Sequence, residues 1–515
     1  MEAYYYHYFQ ALLIPALVCI ISRYYRASGD HRGLRLPPGP WQLPVIGSLH
    51  HLFGSLPHRA LQALSRRHGP LMLLKFGENP VIIASTAEAA KEIMGTHDTM
   101  FCSRPLSSTL KVMGKYSTGI VFAPYGDRWR QLRKICFLEL LSAKRVGSFR
   151  SIREEEAVRF VRSIVLSVTE TQPLVNMSKM FAAYVTDTTV HAIMGGRFKE
   201  HDTLLLYVKG AVRLVGGFTL PDLFPSSRLA RAMSGGTLRR AEEFRDSLMA
   251  FMDRVIAEHL EARSSQQVRR QEDLIDVLLR IKGEGNLEFP LTMSDIKTVI
   301  FDLFAGGSET AQTTLQWAMA ELMQNPSIMC RAQAEVRAAF QTQMKVTEEG
   351  LGELSYMRCV VKETLRLHLP GPLLIPRECR QQCKVLGYDV PKGATVLVNA
   401  WAIARDPESW VDEPEAFRPE RFLDGSSRDC RGNHFEFIPF GAGRRICPGM
   451  QFGLANIEIA LAVLLFHFDW NLPDGILPGG LDMTETMGVT ASKRLDLWLR
   501  PTLRIQLPQP QDHGC

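Results

Sequence analysis

Cys447 lies in Phe440-Gly441-Ala442-Gly443-Arg444-Arg445-Ile446-Cys447-Pro448-Gly449, a run whose residue types suit a thiolate held against a flat metal macrocycle. An ionised cysteine needs N–H donors and positive charge around it, because both stabilise the charged form. Gly443 and Gly449 lack side chains, so the backbone can turn tightly and approach a planar group closely. Pro448 suits a first helical turn, and residues 450–466 read as the helix that follows. Cys447 then sits at a helix N-terminus, where the dipole favours an anion. A second reading of the loop alone is a Gly-rich turn before an ordinary buried helix, with an inert cysteine. A dinucleotide site fits poorly, since Ile446 stands where the third glycine belongs.

A second group of chemically capable residues is Ala305-Gly306-Gly307-Ser308-Glu309-Thr310, within a long apolar run. Thr292 followed by Asp295 reads as a capping box and Asn325-Pro326 as a stop, so this helix spans about 30 residues, roughly 45 Å. Two mid-helix glycines cost on the order of 1 kcal/mol each relative to alanine. A loosened turn would let a small ligand lie against the backbone, with the Thr310 hydroxyl and Glu309 carboxylate beside it. The alternative is a small-residue helix crossing, with Thr310 bonding back to a carbonyl. Glu363 and Arg366, at i and i+3, have the spacing of a same-face ion pair, and Trp129 and Arg133, at i and i+4, share a face. Read singly, these pairs and Arg377 also suit ordinary amphipathic or solvated faces.

Together the segments resemble the cytochrome P450 superfamily. The cysteine loop meets Phe-x-x-Gly-x-Arg-x-Cys-x-Gly at every specified position, and the other segments follow in the family's chain order from about residue 37 to 506. The resemblance implies haem b as cofactor, with Cys447 as the axial iron ligand and Phe440 shielding its sulfur from water. It places Arg445, Trp129, Arg133 and Arg377 at the haem propionates. Phe417-Arg418-Pro419-Glu420-Arg421-Phe422 supplies Arg421, which by analogy closes a structural network with Glu363 and Arg366. Thr310 and Glu309 are the implied catalytic residues, the first beside dioxygen and the second relaying protons with ordered water. The family often has Ser or Thr after this threonine; here it is Ala311, with Thr313 and Thr314 one turn on.

The implied activity is a monooxygenase reaction, with NADPH-derived electrons delivered by NADPH-cytochrome P450 reductase. By family position the pocket draws on Leu110 and Val121, on Phe301, Asp302, Ala305 and Gly306 of the long helix, on Leu373 and Leu374, and on Met487 and Val489. This lining is largely apolar and suits an apolar small molecule. Asp302 is the exception, suited to orient a hydroxyl or amine or to a structural role. Pro37-Pro38-Gly39-Pro40, the run from Phe122 to Trp129 and Pro419-Glu420-Arg421-Phe422 look most like plant A-type members. That favours a terpenoid substrate, with an indole-derived or phenolic metabolite as the alternative. A haem-thiolate isomerase or dehydratase would keep Cys447 but has little need of Glu309 and Thr310. A non-catalytic haem sensor would keep the cofactor grip without an open pocket.

These residues must be positioned by a fold expected to be mostly α with small β-sheets. Helical periodicity dominates at about 55–66, 127–168, 238–262, 295–324 and 450–466, and strand-like runs lie at Leu71 to Phe76, Val81 to Ala84 and Thr395 to Asn399. The chain has 515 residues, 46% hydrophobic and 22% charged, ample for a large core. Because the motifs run from the first hundred residues to the last, 41–506 is expected to be one haem-thiolate catalytic domain with 507–515 as a tail. Residues 1–22 read as an N-terminal membrane anchor and 23–40 as a basic, proline-rich hinge. The arginines behind the apolar run place the following domain in the cytosol, and the arrangement resembles an endoplasmic-reticulum membrane anchor. A net charge of +6 is too mild and scattered for nucleic acid. A basic cluster of Arg128, Arg130, Arg133, Lys134, Lys144 and Arg145 offers a surface for an acidic reductase, or a solvated helix face. Ten cysteines in a chain this long make no disulfide scaffold.

Overall fold

The computed structural model describes residues 33–196, 201–215, 219–264, 272–423, 428–488 and 490–507. The anchor expected at 1–22, most of the basic stretch after it and Val489 of the pocket lining lie outside the described residues. Chain contacts group the described residues into two compact units. One takes the described parts of Met1–Pro105, Phe218–Gly235 and Leu373–Ile403; the other takes those of Leu106–Gly217, Gly236–Pro372 and Ala404–Cys515.

The first unit is built on a four-stranded sheet. Leu71–Phe76 (β1) and Asn79–Ala84 (β2) form an antiparallel hairpin in register Leu71 to Ala84. Gly77 turns it at φ 61°, and a Cβ there would lie 2.2 Å from the Leu223 carbonyl oxygen, so no other residue fits. Arg377–Glu378 (β3) pairs antiparallel with Thr395–Val398 (β4), and β4 runs parallel to β2, giving the order β1-β2-β4-β3. The β-branched and aliphatic residues of these strands suit a pleated, buried surface. Met72, Leu74 and Ile83 are fully buried, and the helix Pro57–His68 (α1), with proline in its first turn, covers them through Leu61.

The second unit is mostly helical. Its framework is Asp127–Ile135 (α2), Met177–Met194 (α3), Met293–Gln324 (α4), Ser355–Leu367 (α5) and Met450–His467 (α6). The capping box of α4 is formed: Thr292 Oγ1 accepts from the Asp295 N–H at 3.1 Å, and Asp295 Oδ2 accepts from the Thr292 N–H at 3.0 Å. From Ala311 to Met323 α4 is buried against α3 and α6, with Leu315, Trp317 and Leu461 in one core. Among the described residues α6 is the helix long and apolar enough to cross a membrane, but 67% of that window is buried inside the unit. It is a core helix, buried almost continuously from Asn456 to His467.

The helical run read from 127 to 168 is broken. Leu141 leaves the helical region at φ −129°, and Ser142 caps a new start by accepting from the Arg145 N–H. Asn176, formally the first residue of a glycosylation sequon, caps α3 by accepting from Lys179 N–H at 3.1 Å and donates to Asp496 at 2.7 Å. Its amide is committed inside the fold.

Glu485–Met487 (β5) and Ala491–Lys493 (β6) form a small hairpin beside α4. It is fixed by the Trp317 indole, which donates to Ala491 O at 3.2 Å, and by the Ala491 N–H, which donates to Pro370 O at 2.9 Å.

Candidate active site

The cysteine loop lies in the second unit and is shaped by its glycines. Gly441 and Gly443 adopt φ 70° and 66°, the left-handed region that favours glycine. Gly443–Arg445 makes a single helical turn, the Cys447 N–H donates to Phe440 O at 2.9 Å, and Gly449 caps α6. Cys447 thus stands just ahead of a helix N-terminus. By area it is only partly buried, yet its sulfur sits in desolvated surroundings that push the thiol pKa up; the Gly449 N–H and the Arg133 guanidinium act in the opposite sense.

Around that loop, donors from α2 and the segment before it converge. Trp129 and Arg133 share a buried face of α2. Trp129 Nε1 donates to Ile120 O at 3.0 Å and Arg133 donates to Ile446 O. Buried Arg445 stacks on Trp129 and donates to Ile120 O at 3.3 Å and to Ala123 O at 2.5 Å. Burial lowers the pKa of Arg133 to about 10, which still leaves it cationic at neutral pH.

The glycine turn of α4 presents a different environment. Gly306 and Thr310, one turn apart, are exposed although Phe304, Ser308 and Ala311 are buried, and nothing lies within 4 Å of a Cβ built on Gly306. On Gly307 such a Cβ would meet Thr189 at 3.3 Å and Phe452, in the first turn of α6, at 4.0 Å, so the α4 turn packs near the helix that Cys447 precedes. Thr310 Oγ1 donates to Gly306 O at 2.8 Å, the back-bond expected of threonine in a helix. Glu309 Oε1 accepts from the Thr490 hydroxyl at 2.7 Å, so the β5–β6 turn holds that carboxylate.

In the second unit Leu110 is buried, and Val121, Phe301, Ala305 and Met487 are half-buried. Asp302 Oδ2 accepts from the N–H groups of Ile120 at 2.7 Å and Val121 at 3.3 Å. Leu373 and Leu374 belong to the first unit, where Leu374 adopts φ 51° and Arg104 clamps the next two carbonyls, Ile375 O at 2.6 Å and Pro376 O at 2.8 Å. Arg377, also there, is buried and paired with Asp98 at 3.1 Å.

Glu363, Arg366 and Arg421 are brought together. Arg366 meets both carboxylate oxygens of Glu363 at 2.7 Å, and both residues are fully buried. Arg421 Nε and the Arg418 N–H donate to Glu363 Oε1 at 3.2 and 2.9 Å. Arg366 also donates to the carbonyls of Ala404, Pro414 and Ala416. The basic cluster is mostly neutralised: Arg128 pairs with Asp295 at 2.5 Å, Arg130 with Asp127, and Arg145 with Glu272 at 3.3 Å, while Lys134 and Lys144 are exposed. Sequence reasoning missed Thr490, Gly119 and the Ile120 carbonyl. None carries a motif, and a backbone acceptor has no residue type to read.

The donor set fits a haem. One soft sulfur lies at a helix N-terminus, the Arg133 guanidinium acts on it, and a Cβ on Gly449 would touch Cys447 Sγ at 4.0 Å. A family model described as Cytochrome P450 matches residues 37–496. The chain is 47% identical over 501 residues to a desmethyl-deoxy-podophyllotoxin synthase of Sinopodophyllum hexandrum, covering 96% of this chain and 97% of that one. It is 46% identical to a salviol synthase of Salvia pomifera (95% and 96% covered) and 46% identical to a premnaspirodiene oxygenase of Hyoscyamus muticus (92% and 94%). A solved zebra fish cytochrome P450 structure with abiraterone superposes at TM-score 0.73 over 87% of this chain and 99% of that chain; at 24% identity the likeness is one of fold.

Proposed function

This chain belongs to the cytochrome P450 family and is a haem monooxygenase, and we propose that it oxygenates a terpenoid, with Cys447 as the sulfur ligand of the iron. The observation that carries the substrate class is the likeness, over more than nine-tenths of the chain, to the salviol synthase and the premnaspirodiene oxygenase, both terpenoid oxygenases. The apolar lining by Leu110, Val121, Phe301 and Ala305 agrees with it. A phenolic or indole-derived metabolite is the second reading, kept by the podophyllotoxin-type relative.

In net terms substrate, dioxygen, NADPH and a proton give oxygenated substrate, water and NADP+. Haem, when bound, supplies the reductive activation of dioxygen. Cys447 would hold that group through a thiolate, a donor that favours O–O cleavage. Arg445, Arg133 and Trp129 would hold its propionates, the role that the family pattern gives Arg377 as well. Thr310 offers a hydroxyl on the exposed face of the α4 turn, and Glu309, held by Thr490, passes protons there. Electrons come from NADPH-cytochrome P450 reductase. Lys134 and Lys144, exposed beside neutralised neighbours, are the cations left to meet its acidic surface. Residues 1–22 tether the catalytic domain, 41–506, to the cytosolic face of the endoplasmic reticulum.

The test is turnover by the full-length protein in microsomes containing the reductase, with panels of sesquiterpenes, diterpenes, phenolics and indoles, analysed by mass spectrometry. NADPH-dependent products one oxygen heavier than a terpene support the proposal. Products from phenolics or indoles alone transfer the assignment to the second reading.

A further inference from the structure

Asp302 is the one carboxylate among the pocket residues, and its surroundings assign it a job. Its Oδ2 takes the N–H of Ile120 at 2.7 Å and that of Val121 at 3.3 Å. The chain can come this close because residue 119 is glycine at φ 61°. A Cβ there would lie 2.1 Å from Asp302 Oδ2 and 2.9 Å from the methyl of Thr298, one turn earlier on α4. The Ile120–Val121 peptide, whose N–H goes to Asp302 at 3.3 Å, receives Trp129 Nε1 and Arg445 Nη1 on its carbonyl. One peptide plane therefore joins the oxygen-side helix to two residues assigned to the cofactor.

We propose that Asp302 is a positioning residue, a clasp that pins the Gly119-Ile120-Val121 loop onto α4 and, through the Ile120–Val121 peptide, sets the orientation of Trp129 and Arg445, without touching substrate. The inference rests on the monooxygenase reading for the identity of the pocket and cofactor. A carboxylate accepting two backbone N–H groups in enclosed surroundings is strongly held, since hydrogen bonds to charged groups exceed neutral ones. Enclosure raises the Asp302 pKa to about 7 against the pull of those two N–H groups. The other titratable group that feels it is the buried Cys136 thiol, which Asp302 helps keep protonated. Either protonation state of Asp302 retains an oxygen able to accept, so the clasp needs an acceptor at this position more than it needs a charge. Among the described residues assigned to the pocket, the one carboxylate is thereby engaged on backbone rather than on substrate.

The experiment uses haem-loaded, full-length protein and compares wild type, D302N and D302A. Hydrogen exchange of the peptide containing Ile120 and Val121 reads the clasp directly, and 1-phenylimidazole titrated against the haem absorbance reads the pocket. Wild type and D302N are expected to protect both amides and to bind the probe within about twofold of each other. D302A should exchange on the order of 10- to 100-fold faster there, and bind the probe correspondingly more weakly. Unprotected amides in wild type, or full protection in D302A, overturn the proposal. So does D302N keeping its protection while losing probe affinity as D302A does, since the carboxylate would then be acting on the ligand. If D302A does not fold, G119A replaces it: its Cβ must push the carboxylate away, so retained protection in G119A also overturns the clasp. A wild-type protein lacking the thiolate-type carbon monoxide spectrum would instead defeat the monooxygenase reading, and leaves the exchange result standing.

Discussion

The guanidinium carbon of Arg445 lies 4.1 Å from the centroid of the Trp129 indole, and both side chains donate to the same oxygen, that of Ile120. The stack and the shared acceptor separate experimentally. W129F keeps an aromatic face and removes one N–H, so it should cost about 1 kcal/mol of stability and retain haem. R445A removes a cation and is expected to lower haem content several-fold, measured as haem absorbance per mole of purified protein. Full occupancy in R445A would exclude Arg445 from holding the propionates.

Cys447 is the sulfur that the loop presents. C447S should fold, since Ser fits the same turn and the Cys447 N–H bond to Phe440 O is backbone only. It is expected to lose the thiolate-type band of the reduced carbon monoxide complex together with NADPH-dependent turnover. A C447S protein with both intact would remove the thiolate from the mechanism.

Glu363 is fully buried and satisfies Arg366, Arg421 and the Arg418 N–H at once. E363A leaves the Arg366 charge buried without its carboxylate and should cost about 3–5 kcal/mol. R421A, removing a less enclosed partner, should cost clearly less. Urea unfolding of the three proteins checks the order, and equal midpoints for E363A and R421A would contradict it.

Thr490 holds Glu309 by one hydroxyl. T490V removes that donor while keeping the side-chain shape, so the carboxylate is released from its hydrogen bond at 2.7 Å. Slower product formation, with more NADPH consumed per product, is the expected outcome. Unaltered coupling of NADPH to product would show that Glu309 works without the hairpin.

Asp302 sets a pH dependence of known sign. Its ordinary pKa of 3.8 is raised to about 7 by enclosure, against the pull of the Ile120 and Val121 N–H groups. Between these values the native state keeps a proton that the unfolded chain has released, so this group's contribution to stability falls as pH rises through the window and is flat above about 7. D302N has no carboxyl proton to release. Relative to D302N, wild type should therefore be more stable at pH 5 than at pH 7.5, by on the order of 1 kcal/mol. Parallel urea midpoints for the two proteins at both pH values would count against the shift.

Much of this was legible beforehand. The short apolar runs of Leu71 to Phe76 and Val81 to Ala84 found β1 and most of β2, and the Thr292–Asp295 box located the start of α4. The break at Leu141 and Ser142 was not legible, because the apolar period continues across it and a single serine cap decides it. Asp295 was readable as a cap, but its bonds to Ser117 and Arg128 join residues far apart in the chain, and these absorb part of the basic cluster. Thr490 and Glu309 are 181 residues apart, and neither residue type names the other as a partner. The Glu363 network owes half its bonds to carbonyls, which every residue carries.

Gly119 and Asp302 occupy a space that holds a carboxylate or a Cβ but not both. Their genetic histories should accordingly be linked. Descendants of a common ancestor that place any side chain at 119 are expected to have already lost the acid at 302. Substitutions at the two codons should then be found in pairs, with the change at 302 arising first.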